Sequence, residues 1–246
     1  MKIKVCGLRE PENIRAISEL GVDFIGFIFY PRSSRFVSSV SVGTGLMPDE
    51  STIREDSMGR ETLIHQQHTP ARVGVFVDAS AQDIIARAVT FQLDYIQLHG
   101  NETPTFIANL KRTLKPETRQ RSSSVLYKNV KIIKTVSIEN VSDLDACRQY
   151  DHVADLLLFD TKCDTKGGSG RQFDWNLLSQ YQGETPFLLS GGIGPEDVEA
   201  VRNFHHPRCL GVDVNSKFEI SPALKDVEKV KAFVNAIRRE SVGYRQ

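Results

Sequence analysis

The feature that most constrains this chain is an alternation running from end to end. Eight short runs of β-forming apolar residues are separated by stretches in which apolar residues recur at helical spacing. The runs are Lys2 to Val5, Phe24 to Phe29, Arg72 to Phe76, Tyr95 to Leu98, Lys131 to Val136, Leu156 to Phe159, Phe187 to Ser190 and Gly211 to Val214. Most are near-continuously apolar, as parallel strands covered on both faces are, and none leads into a hairpin turn. Between them fall Ile14, Ile17 and Leu20; Ile84, Ile85, Ala88 and Val89; Phe106, Ile107 and Leu110; Val198 and Val201; and Val227, Val230, Val234 and Ile237. Each set lies on one helical face. Pro11 before Glu12, Ser80 ahead of Gln82 and Asp83, and Pro195 before Glu196 and Asp197 mark helix starts.

Eight strand–helix units in 246 residues predict an α/β fold, a closed (β/α)8 TIM barrel in a single domain. An open doubly wound sheet commonly has fewer strands and a glycine-rich fingerprint after the first. Here the first run ends in Cys6-Gly7. Two segments interrupt the pattern. Residues 43–70 are polar, charged and broken by Gly and Pro, and are read as a short or irregular helix plus a mobile loop. Residues 115–129, rich in Ser, Arg and Lys, are read as a surface extension before the fifth strand.

Composition narrows the function. Lys and Arg number 31 and Asp and Glu 31, so no global field draws the chain to nucleic acid or an acidic membrane. No run of about 18 apolar residues spans a bilayer and the amino terminus does not read as a signal peptide, so a soluble, cytoplasmic protein is expected. Cys6, Cys147, Cys163 and Cys209 are scattered without a CxxC pair, which argues against a disulfide framework or a structural zinc site.

In a TIM barrel chemistry gathers at the carboxyl ends of the strands. That filter selects Cys6, Arg32, Arg35, Asp78, His99, Asp160, Ser190-Gly191-Gly192 and Asp213. The Ser190-Gly191-Gly192 turn runs into a helix start near Pro195. It reads either as a tight βα turn or as a phosphate site made of backbone N–H groups, with Asn215 and Ser216 adding donors from the eighth loop. Cys6 stands ahead of a helix amino terminus that would favour a thiolate, and so a base; a lone cysteine also serves as a small buried hydrophobe. Asp160 ends the apolar run Leu156 to Phe159, where desolvation would raise its pKa and suit a general acid; the alternative is a loop cap or a pair with Lys162. Arg35 can bring a fork-shaped guanidinium over the barrel mouth to a carboxylate, whereas Arg32 reads as surface. His99 reads as an orienting residue, and Lys166 to Gly170 as a mobile lid or a backbone anion contact.

Lys4-Val5-Cys6-Gly7, Gly26-Phe27-Ile28-Phe29-Tyr30-Pro31 with Ser34-Arg35, Gln97-Leu98-His99-Gly100, Phe159-Asp160-Thr161, Gly167-Gly168-Ser169-Gly170 with Phe173-Asp174-Trp175, and Ser190-Gly191-Gly192 occur in order along the barrel. Together they resemble the phosphoribosylanthranilate isomerases of tryptophan biosynthesis. The resemblance implies an Amadori rearrangement of a phosphosugar amine without cofactor or metal. Within it Asp160 is the general acid and Cys6 the general base. Arg35 and His99 are on the substrate, Asp213 orients ribose hydroxyls, and Gly191, Gly192, Asn215 and Ser216 grip the phosphate. Asn215 and Lys217 depart from the family's usual Ser and Gly, Arg9 from its usual capping Thr or Ser, and both insertions are unusual. The related histidine-pathway isomerase carries a twofold repeat and an aspartate after strand one, neither of which is present. A non-catalytic phosphosugar-binding barrel would not need both Cys6 and Asp160. A small phosphosugar is the expected partner. A monomer is the expected state, since the length closes a barrel alone, with a homodimer left open.

Overall fold

In the computed structural model the described residues are 1–38, 52–55, 61–64, 69–114, 129–161 and 174–239; of 52–55, 61–64 and 161 only the backbone is considered. Eight parallel strands close into a barrel: β1 (Lys2–Val5), β2 (Phe24–Ile28), β3 (Ala71–Phe76), β4 (Tyr95–Leu98), β5 (Lys131–Ile138), β6 (Leu156–Thr161), β7 (Phe187–Leu189) and β8 (Cys209–Val214). Each strand pairs with its sequence neighbours, and β1 pairs with β8 in the register Lys2 to Gly211 and Lys4 to Asp213. The eight runs seen in the sequence are these strands. β6 extends two residues further than its apolar run, so Asp160 lies inside the strand.

Around the barrel lie α1 (Pro11–Ser18), α2 (Ala81–Thr90), α3 (Pro104–Leu114), α4 (Val141–Cys147), α5 (Val198–Asn203) and α6 (Val227–Arg238). Their starts are chemically marked. Pro11 opens α1, Ser80 Oγ accepts from Asp83 N at 3.1 Å, and Asp226 Oδ1 accepts from Lys229 N at 3.1 Å. Pro195 opens a single 3₁₀ turn, Pro195–Asp197, that leads into α5. Among the described residues the connection after β6 holds another 3₁₀ helix, Trp175–Gln180, and no α-helix. A capping box at Asn140 starts α4, which the sequence pattern did not reveal because seven residues give too few helical repeats.

Residues 43–70 correct an expectation. Their described residues form no helix; Thr52–Glu55 and Glu61–Ile64 pair as antiparallel strands. Period-two alternation at Ile53 and at Leu63 satisfies a two-stranded ladder as well as scattered apolar residues satisfy a helix. The extension at 115–129 falls almost wholly outside the described residues, as does the Lys166 to Gly170 loop. After β8 a second small antiparallel pair, Glu219–Ser221 with Leu224–Lys225, lies against α1: Asn13 Nδ2 donates to Lys225 O at 2.9 Å and Lys225 N donates to Asn13 Oδ1 at 2.8 Å.

Strand alternation sorts the interior into two clusters. Phe24, Val73, Ile133, Leu156, Leu158 and Leu188 fill the barrel, while Ile3, Val5, Ile25, Phe27, Leu157, Phe159 and Leu189 pack outward against the helices. Leu156, Leu158 and Asp160 therefore share the inward face of β6. Among the described residues no helix is long and apolar enough to cross a membrane.

Candidate active site

The inward face turns polar towards the strands' carboxyl ends, where a cavity opens at the barrel mouth. Cys6, Arg35, His99, Asp160, Gly191, Gly192, Asp213, Asn215 and Ser216 all line it. Two other candidates do not. Arg32 is exposed, and Asp78 ties neighbouring loops together, its Oδ1 accepting from Asn101 N and its N donating to Glu102 Oε1 at 3.0 Å.

Cys6 follows β1 and is 4% exposed, its N–H donating to Val214 O at 2.9 Å. The chain then bends at Gly7, whose φ of +76° is open chiefly to glycine. A methyl group at Gly26 would lie 2.8 Å from Cys6 Sγ and 3.1 Å from Cys6 Cα, so the glycine in β2 makes the space the thiol occupies. The signal was a glycine in the middle of an apolar strand.

Below the thiol, on the same face of β1, Lys4 is fully buried and donates to Asp213 Oδ1 at 2.8 Å. Ser190 Oγ donates to Asp213 Oδ2 at 3.3 Å. Burial alone would lower the Lys4 pKa, but the Asp213 charge and Cys6 outweigh it and the pKa is raised. The Cys6 thiol moves upward: burial dominates, opposed by the cations of Lys4 and Lys225 and reinforced by Asp213. The downward shift expected from a helix amino terminus is therefore corrected. α1 does not begin until Pro11, and local charge is set by buried lysines.

Across the cavity His99 Nε2 lies 3.6 Å from Asp160 Oδ2, both side chains being 22% exposed. Gln97 fixes the other edge of the imidazole, its Nε2 lying 3.5 Å from His99 Nδ1 and 3.0 Å from Thr135 Oγ1. On the β7 side Gly191 and Gly192 have φ of +92° and +68°, a turn that bares the backbone to the cavity.

At the rim, Arg35 Nε and Nη2 donate to Glu219 Oε1 and Oε2 at 2.8 and 2.6 Å. Lys225 Nζ donates to Glu219 Oε1 and Asn215 Oδ1, each at 2.7 Å. With its oxygen engaged, Asn215 has its amide nitrogen as the group to offer a ligand. Burial would raise the Glu219 pKa, but its two cationic partners hold it below the ordinary carboxylate range. Sequence reading missed Lys4, Glu219 and Lys225; only a lysine inside a strand hinted at the first.

Comparison with known proteins decides the family. The model for N-(5'-phosphoribosyl)anthranilate (PRA) isomerase matches residues 41–236. The chain belongs to this family. The N-(5'-phosphoribosyl)anthranilate isomerase of Parabacteroides distasonis is 43% identical over 242 residues, covering 98% of this chain and 96% of the relative. That of Phocaeicola vulgatus is 42% identical, with 98% and 99% covered. Among solved structures, the enzyme from Thermotoga maritima superposes with a TM-score of 0.71 at 28% identity over 96% of this chain and 98% of that one. A family member in complex with reduced 1-(o-carboxyphenylamino)-1-deoxyribulose 5-phosphate gives 0.68 at 26% identity, with 96% and 98% covered. The family model's match begins beyond Cys6 and Arg35.

Proposed function

We propose that this chain converts N-(5-phosphoribosyl)anthranilate into 1-(2-carboxyphenylamino)-1-deoxyribulose 5-phosphate, with Asp160 as general acid and Cys6 as general base. The observation that carries the reading is the convergence of nine candidate residues, from strand ends and loops far apart in sequence, on one cavity. The chemistry needs three proton transfers, of which two are assigned to side chains. Asp160 gives its proton to the ribose ring oxygen as the amine nitrogen's lone pair expels it, opening the ring to an iminium. Cys6 takes the proton from C2, and those electrons neutralise the iminium to leave an enolamine. Transfer of a proton from O2 to C1 then gives the ketone.

Each remaining group has a task. Gly191, Gly192, Ser216 and the Asn215 amide offer donors to the phosphate. Asp213, held by Lys4 and Ser190, accepts from ribose hydroxyls. Arg35 faces the carboxylate, and His99 braces Asp160 and the aryl ring. The raised Cys6 pKa makes its thiolate scarce at neutral pH but strongly basic once formed, so kcat/KM climbs with pH as the thiol ionises. Among the described residues the exposed large apolar side chains are Met1, Val89, Val141, Leu210 and Ile220, of which Met1 and Leu210 alone are neighbours in register, and this scatter supports a monomer. A solved relative from Thermotoga maritima is described as dimeric.

The test is the loss of fluorescence of phosphoribosylanthranilate generated in situ. Wild-type protein should turn it over, and Cys6→Ala and Asp160→Asn should each lose about 10²–10⁴-fold in kcat while still binding the reduced product analogue. No turnover by wild type alongside an active control isomerase, or near-normal turnover by either variant, defeats the assignment.

A further inference from the structure

We infer that Glu219, anchored by Lys225, is the positioning residue that aims Arg35, leaving the guanidinium's outer edge as the selector for a carboxylate on the substrate's aryl ring. This deepens the isomerase reading and rests on it. A guanidinium has five N–H donors in a fixed plane. Glu219 takes two of them, from Nε and Nη2, along the inner edge. Among the described residues Nη1 makes no hydrogen bond, so the edge formed by Nη1 and the second Nη2 proton is the one a ligand can engage in bidentate fashion.

The support behind Glu219 is rigid. Its side chain is 6% exposed and that of Lys225 is fully buried. Lys225 also holds Asn215, and its backbone is clamped twice by Asn13 of α1. Gly7 gives the Arg35 stem its room, since a methyl group there would lie 2.7 Å from Arg35 Cδ. A long side chain that would otherwise sample many rotamers is thus fixed before substrate arrives, so little ordering cost falls on binding. Charge agrees with geometry. Two cations flank one carboxylate, and the surplus positive charge at the rim matches one incoming carboxylate.

The experiment measures binding of two probes by titration calorimetry: the reduced product analogue, and the same molecule lacking its aryl carboxylate. For Glu219→Ala the carboxylated probe should weaken by about tenfold or more, the size of one lost charge-assisted interaction, with the carboxyl-free probe little changed. Glu219→Gln, which keeps the shape and so guards against misfolding, should show an intermediate loss. In turnover the loss should fall on KM more than on kcat, and in an Arg35→Ala background Glu219→Ala should add nothing. Equal weakening of both probes, wild-type affinity in both Glu219 variants, or effects that add to those of Arg35→Ala would overturn the inference. A wild-type protein that binds neither probe would instead remove the isomerase reading, and this inference with it.

Discussion

Lys4 of β1 and Lys134 of β5 are both lysines set within barrel strands, both buried, and both paired with a carboxylate, yet they face opposite ways. Lys134 follows Ile133, which fills the barrel, so it points outward; it donates to Glu102 Oε2 at 3.0 Å and to Leu98 O and Gly100 O. Glu102 in turn accepts from Asp78 N and Gly100 N, so this pair stitches two loops onto the barrel's rim. Lys4 points inward, and its partner Asp213 lines the cavity beside Cys6. A buried lysine–carboxylate pair thus ties loops together on one face of a strand and lines the candidate site on the other. The difference is one of strand parity.

Substitution of the two lysines tests this directly. Lys4→Met should lose about 10²-fold or more in kcat/KM, because Asp213 loses its partner and Cys6 a cation that favours its thiolate. The sign follows from the base: removing the cation raises the thiol further, so the rising limb of the pH–rate profile should move to higher pH than in wild type. A limb that stays in place would end the claim that Lys4 acts on Cys6.

Lys134→Met should cost about 3–5 kcal/mol of stability, as for any buried pair broken on one side, without moving that limb. Denaturant unfolding and the pH profile of the folded fraction read the two effects separately. If both variants moved the limb alike, the comparison would collapse.

A smaller effect sharpens the Lys4 side of the contrast. Gly26→Ala puts a methyl group against Cys6, and turnover should fall about tenfold through misplacement of the base by a few tenths of an ångström. Full activity would show that the thiol has slack. The smallest effect concerns salt. Both pairs are shielded from solvent, so raising ionic strength from 0.05 to 0.5 M should leave stability and kcat nearly constant, unlike exposed pairs such as Lys231 with Glu228.

Much of the site could be read from the chain because barrels put chemistry at strand ends, and strand ends can be counted. Cys6, Asp160 and Asp213, which line the cavity, were selected that way, and the double glycine after β7 by its turn chemistry. The residues that escaped act through partners distant in sequence: Arg35 and Glu219 are 184 positions apart, and Lys4 and Asp213 are 209 apart. Neither Glu219 nor Lys225 sits in a motif; they lie in a short antiparallel pair that local propensity does not announce. Among the described residues of 43–70 strands stand where a helix was expected, because sparse apolar residues fit two periodicities and pairing between Thr52–Glu55 and Glu61–Ile64 chose one.

The alternation of apolar runs and amphipathic stretches determined the barrel by itself, since strands buried on both faces need helices outside and a closed sheet leaves no edge. The order of motifs along those strands determined the family. Tertiary structure decided the electrostatics. Closing β8 against β1 brings Asp213 to Lys4 and sets both beneath Cys6, and folding the last strand pair over α1 brings Glu219 and Lys225 to Arg35. Burial and the sum of neighbouring charges fix whether the thiol is an easy or a reluctant acid. Those quantities exist only once the chain has closed.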